Sequence, residues 1–144
     1  MLYREKFYEK TLIHNYSEVY NWIQLNIFGN KPLVQKWMKG QISSVEVNRL
    51  IAKNANIDLE ILSSLYHDSV SKIKLDSRIE KLVRALKSAG QKVEIVTDNM
   101  EVFTQIIVPE HGLNKLFEVI INSANYGLLK QEVKGKLFDK ALAA

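Results

Sequence analysis

Two short loops hold the residues best suited to chemistry. Thr97, Asp98 and Asn99 follow an apolar stretch at 93–96, and Ser123 and Lys130 follow another at 118–121. Both stretches are rich in β-branched residues and read as strands. In open parallel sheets, ligands bind beyond the carboxyl ends of the strands. The two loops would then bring a hydroxyl, backbone amides at a helix start and a lysine ammonium to one sheet edge. Such a set suits an anion, above all a phosphoryl group. Each residue also has a plainer reading. A threonine after a strand is commonly a helix cap, and a lysine in a polar loop is commonly solvated.

The elements that must position these loops can be read on either side of them. Ser77 and Glu80 have capping-box spacing and open a helix that carries Ile79, Leu82, Val83 and Leu86 on one face. Gly90 ends it. A helix from about Met100 to Val108 separates the two strands and stops at Pro109, and a last helix contains Leu137, Phe138 and Leu142. Helix, strand, helix, strand, helix is the signature of an α/β unit with a parallel sheet.

The first half reads as helices only. Tyr8, Leu12, Tyr16, Val19, Tyr20, Ile23 and Ile27 recur at helical spacing, with a break near Asn15. Gly29 and Asn30 stop this pattern, and Pro32 suits the first turn of the next helix, which ends at Gly40. Ser43 and Glu46 have capping-box spacing, and Asp58 can cap a further helix. Residues 1–72 form one expected region and residues 73–144 another. No Pro/Gly linker separates them, so they should pack together.

Composition narrows the function classes. The chain has 144 residues, 47% of them hydrophobic and 25% charged, which is an ordinary globular balance. No apolar run approaches a membrane span, and no basic start followed by an apolar stretch marks a signal peptide. The absence of cysteine excludes disulfides and thiolate metal sites and suits a cytoplasmic protein. The net charge is +4, but basic and acidic residues alternate, as in Arg78, Glu80 and Lys81. No clustered basic face points to nucleic acid.

A resemblance rests on these same segments. The helix IEKLVRALKSAGQK followed by VEIVTDN resembles the second motif of the haloacid dehalogenase (HAD) superfamily of hydrolases. There, a Ser or Thr at the end of the second core strand hydrogen-bonds the transferring phosphoryl group, and Thr97 occupies that position. The segment LFEVIINSANYGLLK resembles the approach to the third motif, with Ser123, Gly127 and Lys130 matching its Ser, Gly and phosphoryl-neutralising Lys. The usual Pro and Asp after that Lys are Gln131 and Glu132 here. The resemblance implies a partial Rossmann-like parallel-sheet core under an α-helical cap. It implies a phosphatase-type hydrolase acting on a small phosphorylated substrate through an aspartyl-phosphate. Some members of the superfamily cleave carbon–halogen bonds, so the leaving group stays open. Thr97 and Lys130 become the expected catalytic groups, with Asp98, Asn99 and Ser123 expected at the substrate.

The first motif of that superfamily, an apolar strand followed by Asp-x-Asp, has no counterpart. Among the five aspartates only Asp98 follows a strand, and it lacks the second carboxylate. The acidic pair of the fourth motif is also missing. The family's Mg²⁺ is held by these two motifs, so no metal ligand is expected among these residues. The chain is therefore expected to be a fragment without the nucleophile, inactive alone, with a sheet edge open to self-association. The rival reading is a non-catalytic helical binding module. His14, His67 and His111 lack metal-ligand spacing. Trp22, Trp37 and the tyrosines of the first half read as packing groups.

Overall fold

The structure is a computed structural model that describes residues 2–144. Its first half is helical. Helix α1 (Glu9–Leu12) and α2 (Ser17–Ile23) are separate, and α2 runs on into a π-helical turn at Gln24–Phe28. The Asn30 side chain accepts from the Leu33 amide to cap α3 (Lys31–Met38), whose first turn contains Pro32. Helix α4 (Ser44–Ala55) opens with the expected reciprocal box. Ser43 Oγ accepts from the Glu46 amide at 3.2 Å, and the Glu46 carboxylate accepts from the Ser43 amide at 2.7 Å. Asp58 caps α5 (Leu59–Ser71).

Helix α6 (Ser77–Ser88) corrects the sequence reading by one residue. Its cap is Asp76, which accepts from the Arg78 amide at 3.0 Å, while Glu80 pairs with Arg84 one turn on. An aspartate directly before the first turn reaches the orphan amides as well as a serine does, and Arg78 holds it there.

The two strands are β1 (Glu94–Thr97) and β2 (Val119–Asn122), paired in parallel with Thr97 opposite Asn122. Each lies one residue beyond its expected span. Polarity suggested that the ladder would stop at the last aliphatic residue. Asn122 extends it because its fully buried amide donates to the Met100 carbonyl at 3.0 Å and to Thr104 Oγ1 at 3.1 Å.

Between the strands, a π-helical turn at Phe103–Ile107 leads into α7 (Val108–Glu110) and then α8 (Leu113–Leu116). The helix therefore continues past Pro109. Pro109 falls in the first turn of α7, where its missing N–H is tolerated. After β2 come α9 (Ser123–Tyr126), a tight turn at Glu132–Gly135 and α10 (Lys136–Leu142).

One apolar core runs from Phe7 to Phe117 and so crosses residue 72, with Tyr8, Leu12, Trp37, Ile51, Leu62 and Phe103 at its centre. Two buried polar pairs lie within it. Trp37 Nε1 donates to Ser44 Oγ at 3.1 Å, and the Tyr8 hydroxyl donates to Asn48 Oδ1 at 2.7 Å. A smaller cluster of Ile121, Leu137 and Ala141 forms where α10 packs on the sheet. Among the described residues, no helix is long and apolar enough to cross a membrane.

Candidate functional site

Parallel pairing puts the carboxyl ends of β1 and β2 side by side, at Thr97 and Asn122. Among the described residues, strand β1 has β2 as its one sheet neighbour. A cavity of about 460 Å³ is lined by three consecutive β1 residues, Ile95, Val96 and Thr97, and so runs along the strand's other edge. Leu2, Tyr3 and Ile79 form apolar wall, and Lys130 stands at the same cavity. Thr97 and Lys130 thus meet at one space although 32 residues separate Lys130 from the strand-end loop. Lys130 makes no ion pair among the described residues.

The other three expected residues lie differently. Asp98 accepts from the Lys130 backbone amide at 2.8 Å and so fastens the two strand-end loops together. Asp98 and Asn99 line a second cavity, of about 410 Å³, between these loops and the helical half. Asn99 borders both cavities, but its side chain is occupied: Nδ2 donates to the Tyr3 hydroxyl at 2.6 Å, and Oδ1 accepts from the Met100 amide at 3.0 Å. Ser123 is fully buried and lines neither cavity. Its hydroxyl donates to the Met38 carbonyl at 2.5 Å and accepts from the Asn99 amide at 3.0 Å. It ties α3 to both strand ends.

Two residues at these cavities carried no sequence signal. Tyr3 lines both, and burial pushes its phenol above the usual range, opposed by the bond from Asn99. Gln24 lines the second. Glu132, one of the departures from the resembled pattern, pairs with Lys39 at 2.8 Å and accepts from the Leu129 amide at 2.9 Å. These contacts hold its carboxyl below the usual range and join the loop of Lys130 to the end of α3.

The chemistry available at the first cavity is that of a hydroxyl and an ammonium, which suit a phosphoryl group. No carboxylate lines that cavity. Among the described residues no group of three or more His, Asp or Glu could hold a metal ion. This donor set alone does not fit Mg²⁺, which needs hard oxygen ligands in octahedral array.

Over residues 8–136 the chain matches the family of haloacid dehalogenase-like hydrolases. The chain belongs to that family. Its mostly helical architecture with a small parallel sheet is a partial HAD-like α/β fold. A phosphoserine phosphatase from Archaeoglobus fulgidus is 32% identical over 108 residues. The match covers 74% of this chain and 30% of that relative, so the chain spans less than half of the relative's length.

Proposed function

We propose that this HAD-like chain belongs to a phosphatase-type hydrolase, and that Thr97 and Lys130 hold the phosphoryl group of a small phosphate monoester. The observation that carries this reading is the pair's position. A strand-end hydroxyl and an ammonium without an ion-pair partner among the described residues line one cavity beside a parallel sheet's carboxyl ends. The similarity to a phosphoserine phosphatase supports the same class of substrate.

In this reading residues 1–72 act as the helical cap region and residues 73–144 as the partial core. Thr97 donates its hydroxyl to a phosphoryl oxygen, and Lys130 neutralises charge that develops there. Neither can attack phosphorus in place of a carboxylate. The chain by itself therefore binds phosphate without turning over an ester. No step is assigned to Mg²⁺. Its cytoplasmic setting rests on the cysteine-free composition alone.

The test is titration calorimetry with inorganic phosphate. Thr97→Val and Lys130→Met should each weaken binding about tenfold or more, the loss of one charge-assisted contact. Unchanged affinity in both variants would place the phosphoryl site elsewhere.

A further inference from the structure

We propose that Glu132 and Lys39 are positioning residues of the phosphoryl site, and that the helical half, through their ion pair, sets where the Lys130 ammonium stands. This rests on the phosphoryl reading above and adds the control of its positive charge.

Lys130 sits on a segment with little regular structure. Residues 128–131 lie between α9 and the tight turn at Glu132–Gly135 and belong to no helix or strand. A side chain on such a segment is placed by whatever holds the backbone beneath it. Two carboxylates do so here. Asp98 accepts from the Lys130 amide at 2.8 Å, and Glu132 Oε2 accepts from the Leu129 amide at 2.9 Å. Glu132 is itself held, because its other oxygen meets Lys39 Nζ at 2.8 Å. The pair is partly buried, so salt screens it less than a pair in open water.

Lys39 stands on a docked helix end. On one side of it the Met38 carbonyl accepts from Ser123 Oγ, and on the other Gly40 packs against the Ala124 carbonyl. The end of α3 is thus fixed to the start of α9, and Lys39 reaches from there to the loop of Lys130.

The backbone beyond Glu132 is an independent sign that this tie bears on the loop. Val133 and Lys134 have φ of +47° and +54°, in the left-handed region. That conformation is unfavourable for a β-branched residue and persists only where neighbouring contacts over-determine it. Glu132, with both carboxylate oxygens engaged, is the residue directly before it. A charge-assisted hydrogen bond from Lys130 to a phosphoryl oxygen needs the ammonium closely placed, and a slackened loop forfeits it.

Glu132→Gln and Lys39→Met separate positioning from plain charge. Acting through space alone, the two residues would have opposite effects on an anion. Loss of the carboxylate would tighten phosphate binding, and loss of the ammonium would weaken it. Acting through the loop, both changes weaken it. Calorimetry with inorganic phosphate should show a loss of about threefold or more in each variant, the scale of a partly exposed ion pair. Lys39→Arg, which keeps the pair, should retain the wild-type affinity. In a chain that already carries Lys130→Met, Glu132→Gln should bring no further loss. Four results each overturn the positioning role and leave the phosphoryl reading standing: tighter binding by Glu132→Gln, unchanged binding in either single variant, a Lys39→Arg chain as weak as Lys39→Met, or an equal loss on the Lys130→Met background. Failure of the wild-type chain to bind inorganic phosphate overturns both.

Discussion

Ser123 Oγ lies 2.5 Å from the carbonyl oxygen of Met38 and 3.0 Å from the backbone nitrogen of Asn99. One buried hydroxyl thus joins the last turn of α3, the start of α9 and the loop after β1. Ser123→Ala would leave the Asn99 amide and the Met38 carbonyl without this partner. The expected cost is about 1–3 kcal/mol. Urea denaturation measures it, and a loss below about 0.5 kcal/mol, the scale of an ordinary surface change, would argue against a structural tie.

Gly40 makes the neighbouring contact. It has φ +67°, and a Cβ built there would stand 2.4 Å from the Ala124 carbonyl oxygen. Gly40→Ala must therefore strain the backbone and push α9 away from the end of α3. A destabilisation of about 2–4 kcal/mol is expected from the two effects together. An unchanged melting temperature would show that the α3–α9 contact yields easily.

Asp76 links stability to pH. Its hydrogen bonds from Arg78 hold its carboxyl far below the usual aspartate range in the folded chain. A group with a depressed folded pKa stabilises above its unfolded value, near 3.9, and that contribution fades as pH falls further. Asp76→Ala should lower the melting temperature by a few degrees at pH 7, as the loss of a helix cap does. The gap between variant and wild type should narrow below about pH 4. A gap that stays constant down to pH 2 would mean that the carboxylate charge is not what stabilises α6.

Among the described residues β1 pairs in a sheet with β2 alone, and Leu2 and Tyr3 lie in the cavity beside its other edge. Tyr3 reaches its place through a single antiparallel bridge to Leu75. Removing residues 1–4 should uncover the edge and raise the dimer fraction in analytical ultracentrifugation. If the shortened chain stays monomeric at millimolar concentration, the edge is not a pairing surface.

Hydrolysis provides a further check. With Mg²⁺ and a generic phosphate ester, the purified chain should show no turnover above background. Turnover abolished by Lys130→Ala would show that a nucleophile is present among these residues after all.

Much of this architecture was legible because it is local. Helix caps such as Ser43–Glu46 and Asp58 act within one turn, and β-branched runs mark both strands. That Thr97 and Lys130 would face one space could be read because a strand end is a fixed address in a parallel sheet. The ties were not legible. Asn99 and Ser123 resemble substrate ligands in sequence, yet their side chains meet Tyr3 and Met38, 96 and 85 positions away. Nothing local marks such partners. The strand limits erred for a related reason: Asn122 is polar by type, but its side-chain N–H₂ donates to Met100 and Thr104 in the segment between the two strands.

The reach of the Ser123–Met38 bond also sets an order on biosynthesis. Its partners are 85 residues apart. At about 5–20 residues per second, Met38 is made roughly 4–17 s before Ser123. The helical half must wait that long on the ribosome with the end of α3 unanchored and apolar surface uncovered. A chaperone that shelters nascent helices would find its longest opportunity in that interval.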